Sequence, residues 1–501
     1  MELLANLQLG FSVALAGTNI LYCLIGVILG TLIGVLPGIG PVATIAMLLP
    51  ATFALPPVSA LIMLAGIYYG AQYGGSTTAI LVNLPGEVSS VVTCLDGYQM
   101  ARNGHAGKAL AIAALGSFFA GSVATFLIAA FAPPLAEMAL KFGPADYFSL
   151  MVLGLLAAVV LAHGSLIKAI GMILLGLLIG LIGTDVNSGV ARYNFGMPEL
   201  IDGVGIGPIA MGVFGFGEII RNLDAGGEKR EVFTKKVTGL MPNWADFKAA
   251  FPAICRGTAL GSFLGILPGG GPVLGAFSAY TLEKKLSKTP EKFGKGIIEG
   301  VAAPEAANNA AAQTSFIPLL TLGIPSNPVM ALMIGAMIIH GIQPGPQIMT
   351  AKPDLFWGMI ASMWVGNFLL VVLNLPMIGV WVKLLTVPYR LLYPAILLFC
   401  CVGVYSINNN VFDVYVTALF GVLGWLFVKL ECEPAPLLLG FILGPMMEEN
   451  LRRALLLSRG DWSVFATRPI SAVMLGMAAV LLLIIVAPSI RKKREEAFHE
   501  V

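Results

Sequence analysis

Charge is what this chain has least of. Of its 501 residues, 57% are hydrophobic and only 11% are charged, against about 25% charged in an ordinary soluble domain. No Asp, Glu, Lys or Arg occurs between Glu2 and Glu87, between Glu305 and Lys352, or from Pro469 to Ile490. A helix needs about 20 largely apolar residues to cross a bilayer, so these stretches hold several spans and exclude a soluble core. Cysteine is scarce as well. Cys23, Cys94, Cys255, Cys400, Cys401 and Cys432 form no CxxC pair, which suits buried structural thiols better than a metal or disulfide framework. The four histidines (His105, His163, His340, His499) are scattered, and HExxH, Walker A and paired-aspartate sequences are missing. A membrane-embedded enzyme therefore has little to stand on. Met1 to Gln8 lack a basic region, so the first apolar run is expected to act as its own insertion signal without a cleavable leader.

Glycine is abundant, with 59 residues set in long Leu/Ala/Val/Ile runs such as 109–132 and 150–162. Such runs suit helices, and the alternation of a membrane barrel is missing. Gly26, Gly30 and Gly34 make two overlapping GxxxG steps, expected to let helix backbones approach closely. The expected fold is an all-α polytopic membrane protein. The cluster Arg491 to Arg494 directly after an apolar run reads as a positive-inside anchor and not as a nucleic-acid patch.

The chain is written twice. Gly34-Val-Leu-Pro-Gly-Ile-Gly-Pro41 recurs 231 residues later as Gly265-Ile-Leu-Pro-Gly-Gly-Gly-Pro272. Asn83-Leu-Pro-Gly86 has a counterpart in Gly323-Ile-Pro-Ser326, Ser117 and Gly121 in Ser362 and Gly366, Gly176 in Gly421, and Glu218 to Arg221 in Glu449 to Arg452. Matches in the same order define two homologous transmembrane repeats, residues 1–223 and 249–501, joined by a polar linker over 224–248. The second repeat also carries a C-terminal span. Equivalent loops differ in basic charge. The loop 51–57 has none, whereas its counterpart carries Lys284, Lys285, Lys288, Lys292 and Lys295; Arg102 and Lys108 face a loop whose one basic residue is Lys352. Opposite basic bias predicts inverted repeats, the arrangement of many secondary transporters. Arg452, Arg453, Arg459 and Arg468 run against this scheme, because it puts them outside.

The Leu-Pro-Gly segments interrupt apolar runs of membrane length. Their prolines stop a helix, and their glycines open backbone angles closed to other residues. Non-helical backbone at that depth is tolerated only where it is buried in protein or lines a cavity, which predicts broken helices or helical hairpins around a site. Gly38, Ile39, Gly40, Gly269, Gly270 and Gly271 are therefore candidate substrate contacts through backbone amides. Gly38-Ile-Gly40-Pro-Val-Ala43 also fits a loose GxGxxA pattern, but no acidic residue follows until Glu87, so dinucleotide binding is rejected. Each half adds a polar cluster, Tyr68 to Asn83 and Glu305 to Asn327. From these, Ser76, Thr77, Thr78, Asn308, Asn309 and Thr314 are candidate neutral donors for a carboxylate. The bends themselves (Asn83, Pro85, Gly86, Thr321, Pro325 and Ser326) are candidate oxygen ligands for Na+. Glu87 and Glu305 are fixed charges beside the breaks and are read equally as helix-end carboxylates or as ion or proton ligands.

These residues resemble a known family. The paired Leu-Pro-Gly-x-Gly-Pro motifs, Tyr68-Tyr-Gly-Ala-Gln-Tyr-Gly-Gly-Ser-Thr-Thr78, Pro304-Glu-Ala-Ala-Asn-Asn-Ala310 and Pro318-Leu-Leu-Thr-Leu-Gly-Ile-Pro325 are similar to the large membrane subunit of the tripartite tricarboxylate transporters, over nearly the whole chain. The resemblance implies a multi-pass protein of the bacterial inner membrane that works with a small membrane subunit and a periplasmic solute-binding protein. It also implies cation-coupled uptake of di- and tricarboxylates such as citrate, with Na+ favoured over H+ and no cofactor. A homo-oligomer stays open, as does a passive organic-anion channel, which differs from a carrier in lacking concentrative uptake.

Overall fold

Two helices lie innermost. Every residue from Ser59 to Val82 of the Pro57–Val82 helix is buried, and so is every residue from Gly300 to Thr314 of the Glu299–Thr314 helix. They are seen in a computed structural model that describes residues 2–36, 40–83, 86–161, 165–185, 188–224, 239–267, 271–384 and 408–486, with 394, 397–398, 400–402 and 404–405. Among the described residues, five helices are long and apolar enough to cross a membrane: Gly17–Gly34, Ala106–Ala139, Trp244–Ile266, Pro353–Asn374 and Val411–Lys429. Shorter apolar helices such as Pro41–Thr52 and Pro328–Ile339 fill in between them. The strands among the described residues are two residues each, Gly183–Thr184 paired antiparallel with Ala191–Arg192. The protein is thus an all-α polytopic membrane protein.

Glycine explains how the inner helices are wrapped. Gly26, Gly30 and Gly34 lie on the backbone of Met63, Ile67 and Ala71 so closely that a Cβ at any of the three would overlap a carbonyl. Gly66, Gly70 and Gly74 return the contact from the inner helix. The same ladder occurs again where Gly257, Gly261 and Gly265 of Trp244–Ile266 lie on Ala303, Ala307 and Ala311. The glycines of the two ladders are 231 residues apart, and their partners are 240 apart. Without a hydrophobic force between helices in lipid, such backbone contact supplies dispersion energy that larger side chains would prevent.

Each ladder ends in a break. Gly17–Gly34 stops, and a new helix, Pro41–Thr52, starts with Gly40 as its N-cap. Trp244–Ile266 stops, and Gly271, at φ +46°, opens the Gly271–Leu286 helix. The Pro57–Val82 helix ends on Asn83 at φ +57°, and Phe316–Leu322, the short helix that follows Glu299–Thr314, ends on Gly323 at φ +71°. Both are left-handed C-caps that release the chain into the next bend. Glu87 then caps the short turn Val88–Ser90, and Asn327 caps Pro328–Ile339 by accepting from the Met330 amide at 3.0 Å.

Two polar ties cross between distant segments. Asp96, in the π-helical turn Cys94–Tyr98, is fully buried and accepts from Tyr280 Oη at 2.9 Å and from the amides of Gly294, Gly296 and Ile297 at 3.0, 2.7 and 3.0 Å. Three of the four arginines that run against the charge scheme are held in ion pairs. Arg452 meets Asp185 at 2.9 Å and Glu448 at 2.6 Å, Arg453 meets Glu449, and Arg468 meets the buried Asp146 at 2.5 Å. In the polar stretch 224–248, Asp224 closes the Gly217–Asp224 helix, and the Trp244–Ile266 helix starts behind a capping box of Asn243 and Asp246. Residues 225–238 of that stretch lie outside the described residues.

Candidate functional site

Four helices begin at one cavity. It encloses about 410 Å³ and is lined by Gly40 and Pro41, by Pro272, by Asn327 and Pro328, and by Pro434 and Ala435. These are the N-terminal ends of Pro41–Thr52, Gly271–Leu286, Pro328–Ile339 and Ala435–Leu457. Proline in the first turn of each (Pro41, Pro272, Pro328 and Pro436) removes an amide that would have no partner there and presets the helical angle. A helix N-terminus carries about half a unit of positive charge and presents free amides. Four of them around one space make it electropositive without many fixed cations. Arg221 is the lining cation among the described residues, and Glu87 and Glu433 are the lining carboxylates. Apolar side chains line another part of it, among them Val213 and Phe214 from the π-helical segment Met211–Phe216, and Val428 and Leu439.

One wall carries a hydrogen-bonded polar chain. The Tyr68 hydroxyl stands beside the Asn327 and Gln72 side chains. Ser89 lies 3.2 Å from Gln72 Oε1 and also donates to Glu87, whose Oε1 accepts from Asn308 Nδ2 at 3.2 Å. Asn327 Nδ2 donates to Ser315 at 3.0 Å. Tyr68 and Asn308 occupy equivalent positions 240 residues apart, and each reaches the cap residue of the other half.

The residues singled out in the sequence divide between this cavity and its surroundings. Gly40 and Gly86 line the cavity. Gly271 lies one residue from it, and a Cβ there would meet the Asn327 side chain first. Gly38, Ile39, Gly269, Gly270 and Pro85 lie outside the described residues. Ser76 and Thr77 face the other way, into a small second cavity beside Glu305 and Ser117. Asn309 donates to Ser117 at 2.7 Å. Thr78 donates to Val35 O at 2.8 Å and so pins the first break, while Thr314 donates to Ala310 O within its own helix. Of the candidate cation ligands, Thr321 bonds back to Ile317 O at 2.7 Å and Ser326 donates to Ser315 O at 3.4 Å. Asn83, Thr321, Pro325 and Ser326 do not line the large cavity. Arg221, Ser89, Gln72 and Glu433 were not singled out as site residues. For Arg221 the one signal was its place in the repeated Glu218 to Arg221 segment.

Fold and cavity together define a polytopic membrane protein with a chamber of about 410 Å³ at the N-terminal ends of four helices. The chain belongs to the tripartite tricarboxylate transporter TctA family, whose model matches residues 20–439. That family forms part of a three-part system with a small membrane protein and a periplasmic binding protein. Over 500 residues, all of this chain and 99% of the relative, it is 61% identical to the "uncharacterized 52.8 kDa protein in TAR-I ttuC' 3'region" of Agrobacterium vitis. Over 240 residues, 48% of this chain and 99% of the relative, it is 62% identical to the "uncharacterized protein in TAR-II ttuC' 3'region" of the same organism. No solved structure matches the chain.

Proposed function

We propose that this chain is the translocating subunit of a secondary carrier for small di- and tricarboxylates of citrate-like size, in the bacterial inner membrane. The observation that carries this reading is the convergence of four helix N-termini and Arg221 on one cavity of about 410 Å³, a volume within the usual range for small-molecule sites. Partial charges and amides suit a carboxylate that must be released again, since they lower the cost of an empty site below that of several buried cations. Capture falls to a periplasmic binding protein, and a small membrane subunit completes the assembly. Uptake is coupled to a cation, Na+ ahead of H+, and the two halves are inverted repeats whose relative movement exposes the cavity to either side.

Uptake of radiolabelled citrate, malate and succinate into vesicles carrying the complete system tests the carrier reading. Accumulation above the outside concentration, abolished by collapsing the ion gradients, is the expected result. Equilibration without accumulation would instead describe a channel. The inverted arrangement predicts that single cysteines at Ala54 and Lys288 react with an impermeant thiol reagent from opposite faces; labelling of both from one face rules it out.

A further inference from the structure

The second cavity has a different chemistry from the first. It holds about 20 Å³, room for one water-sized species, and Ser76, Thr77, Ser117, Glu305 and Asn374 line it. Glu305 is 1% exposed. Its Oε2 meets the Ser76 hydroxyl at 2.5 Å and its Oε1 meets the Thr93 hydroxyl. No Lys, Arg or His of the described residues is among its bonding partners. A carboxylate so deep in a membrane protein is tolerated only when something neutralises it.

Two further details point to what that is. Ser76 has a single hydroxyl proton yet lies 3.0 Å from Gln72 O and 2.5 Å from Glu305 Oε2. If the proton serves the helix carbonyl, the short contact to Glu305 needs a positive species from elsewhere. Asn374 is 5% exposed, and its Oδ1 has no hydrogen-bond partner, although its Nδ2 donates to Leu370 O at 2.9 Å. A carboxylate, hydroxyls and an unsatisfied amide oxygen around a space for one small species form a set of oxygen donors suited to a small hard cation.

We infer that Glu305, with Ser76 and Asn374, holds the monovalent cation that drives uptake, at a site separate from the substrate cavity. The inference rests on the carrier reading and assigns its coupling site. The two sites communicate through adjacent turns of the inner helices. Gln72 and Ser76 are one turn apart on one helix, and Glu305 and Asn308 are one turn apart on the other. Asn308 and Gln72 reach Glu87 and Ser89 at the substrate cavity, so filling one site changes the polar wall of the other.

Two measurements test the assignment. Purified protein in lipid nanodiscs is titrated with radioactive Na+, and infrared difference spectra follow protonated carboxyl groups as pH rises. Saturable Na+ binding that Glu305→Gln removes supports the site with Na+ as its cation. A titrating carboxyl band that Glu305→Gln removes supports it with a proton. Variant and wild type alike in both would overturn it. In vesicles carrying the complete system, Glu305→Gln should lose at least tenfold in gradient-driven accumulation of whichever carboxylate the wild type concentrates. It should still exchange internal for external substrate, which also shows that it is folded. Asn374→Ala should raise the cation concentration for half-maximal uptake several-fold. If Glu305→Gln accumulates substrate with unchanged cation dependence, the inference fails and the carrier reading stands. If the wild type accumulates nothing, the carrier reading fails, and Na+ binding with the infrared band decides the cation site alone.

Discussion

The two bends that follow the inner helices occupy equivalent positions and are held in opposite ways. In the first, Gly86 sits against the Gly34 carbonyl and the Gly75 Cα with no room for a side chain. In the second, the equivalent positions are Gly265, Ser315 and Ser326. There the Ser315 hydroxyl lies 2.7 Å from Ala311 O and 3.2 Å from Gly265 O, and Ser326 donates to Ser315 O at 3.4 Å. The next residue differs too, a carboxylate at Glu87 against an amide at Asn327. One backbone course is therefore kept once by direct contact and once by hydrogen bonds. A repeat conserves the path of the chain more strictly than the force that holds it.

The largest effects should come from the part the halves share. Gly30→Val and Gly261→Val each drive a branched side chain into the backbone of the facing helix. Overpacking a tight contact costs about 1–3 kcal/mol or more, and backbone cannot move aside as a side chain can. Both variants should give little folded protein by fluorescence-detected size exclusion, and a well-folded Gly261→Val would mean that only one ladder matters energetically. The bends should then separate. Gly86→Ala is expected to destabilise like a ladder variant, whereas Ser326→Ala loses one hydrogen bond worth about 0.5–1.5 kcal/mol and should lower the melting temperature modestly. Equal losses from both substitutions would erase the distinction drawn here. The finest comparison lies at the breaks. A Cβ at Gly40 meets nothing within 4 Å, while Gly271 has a left-handed φ of +46°. Gly271→Val should therefore cost stability, about 1–2 kcal/mol from backbone strain. Gly40→Val should melt like wild type yet fail in transport, because its side chain enters the substrate cavity. Normal uptake by Gly40→Val would place the substrate elsewhere.

Much of the frame was legible in the residues. Missing charge gave the membrane class, the spacing of Gly26, Gly30 and Gly34 gave the packing, and the paired prolines gave the breaks. Which way a polar side chain faces was not legible. An amphipathic stripe can be read only when one face of a helix differs from the other, and both inner helices are buried on every side. Gln72 and Ser76 thus look alike in sequence but serve different cavities. Arg221 escaped for another reason. It stands near the end of a half and reaches the cavity only because the helices fold back around it.

Asp96 has a consequence for how this protein is made. Its carboxylate lies among first-half residues, but the amide that completes its cradle, at Ile297, is 201 residues further along. A growing chain exposes its N-terminal part to the membrane first, so the first half waits with a buried acceptor unmet until translation has passed into the second. The halves are therefore poor candidates for independent folding units, however alike they are in plan, and a ribosome stalled at the linker should leave a product that cellular quality control removes.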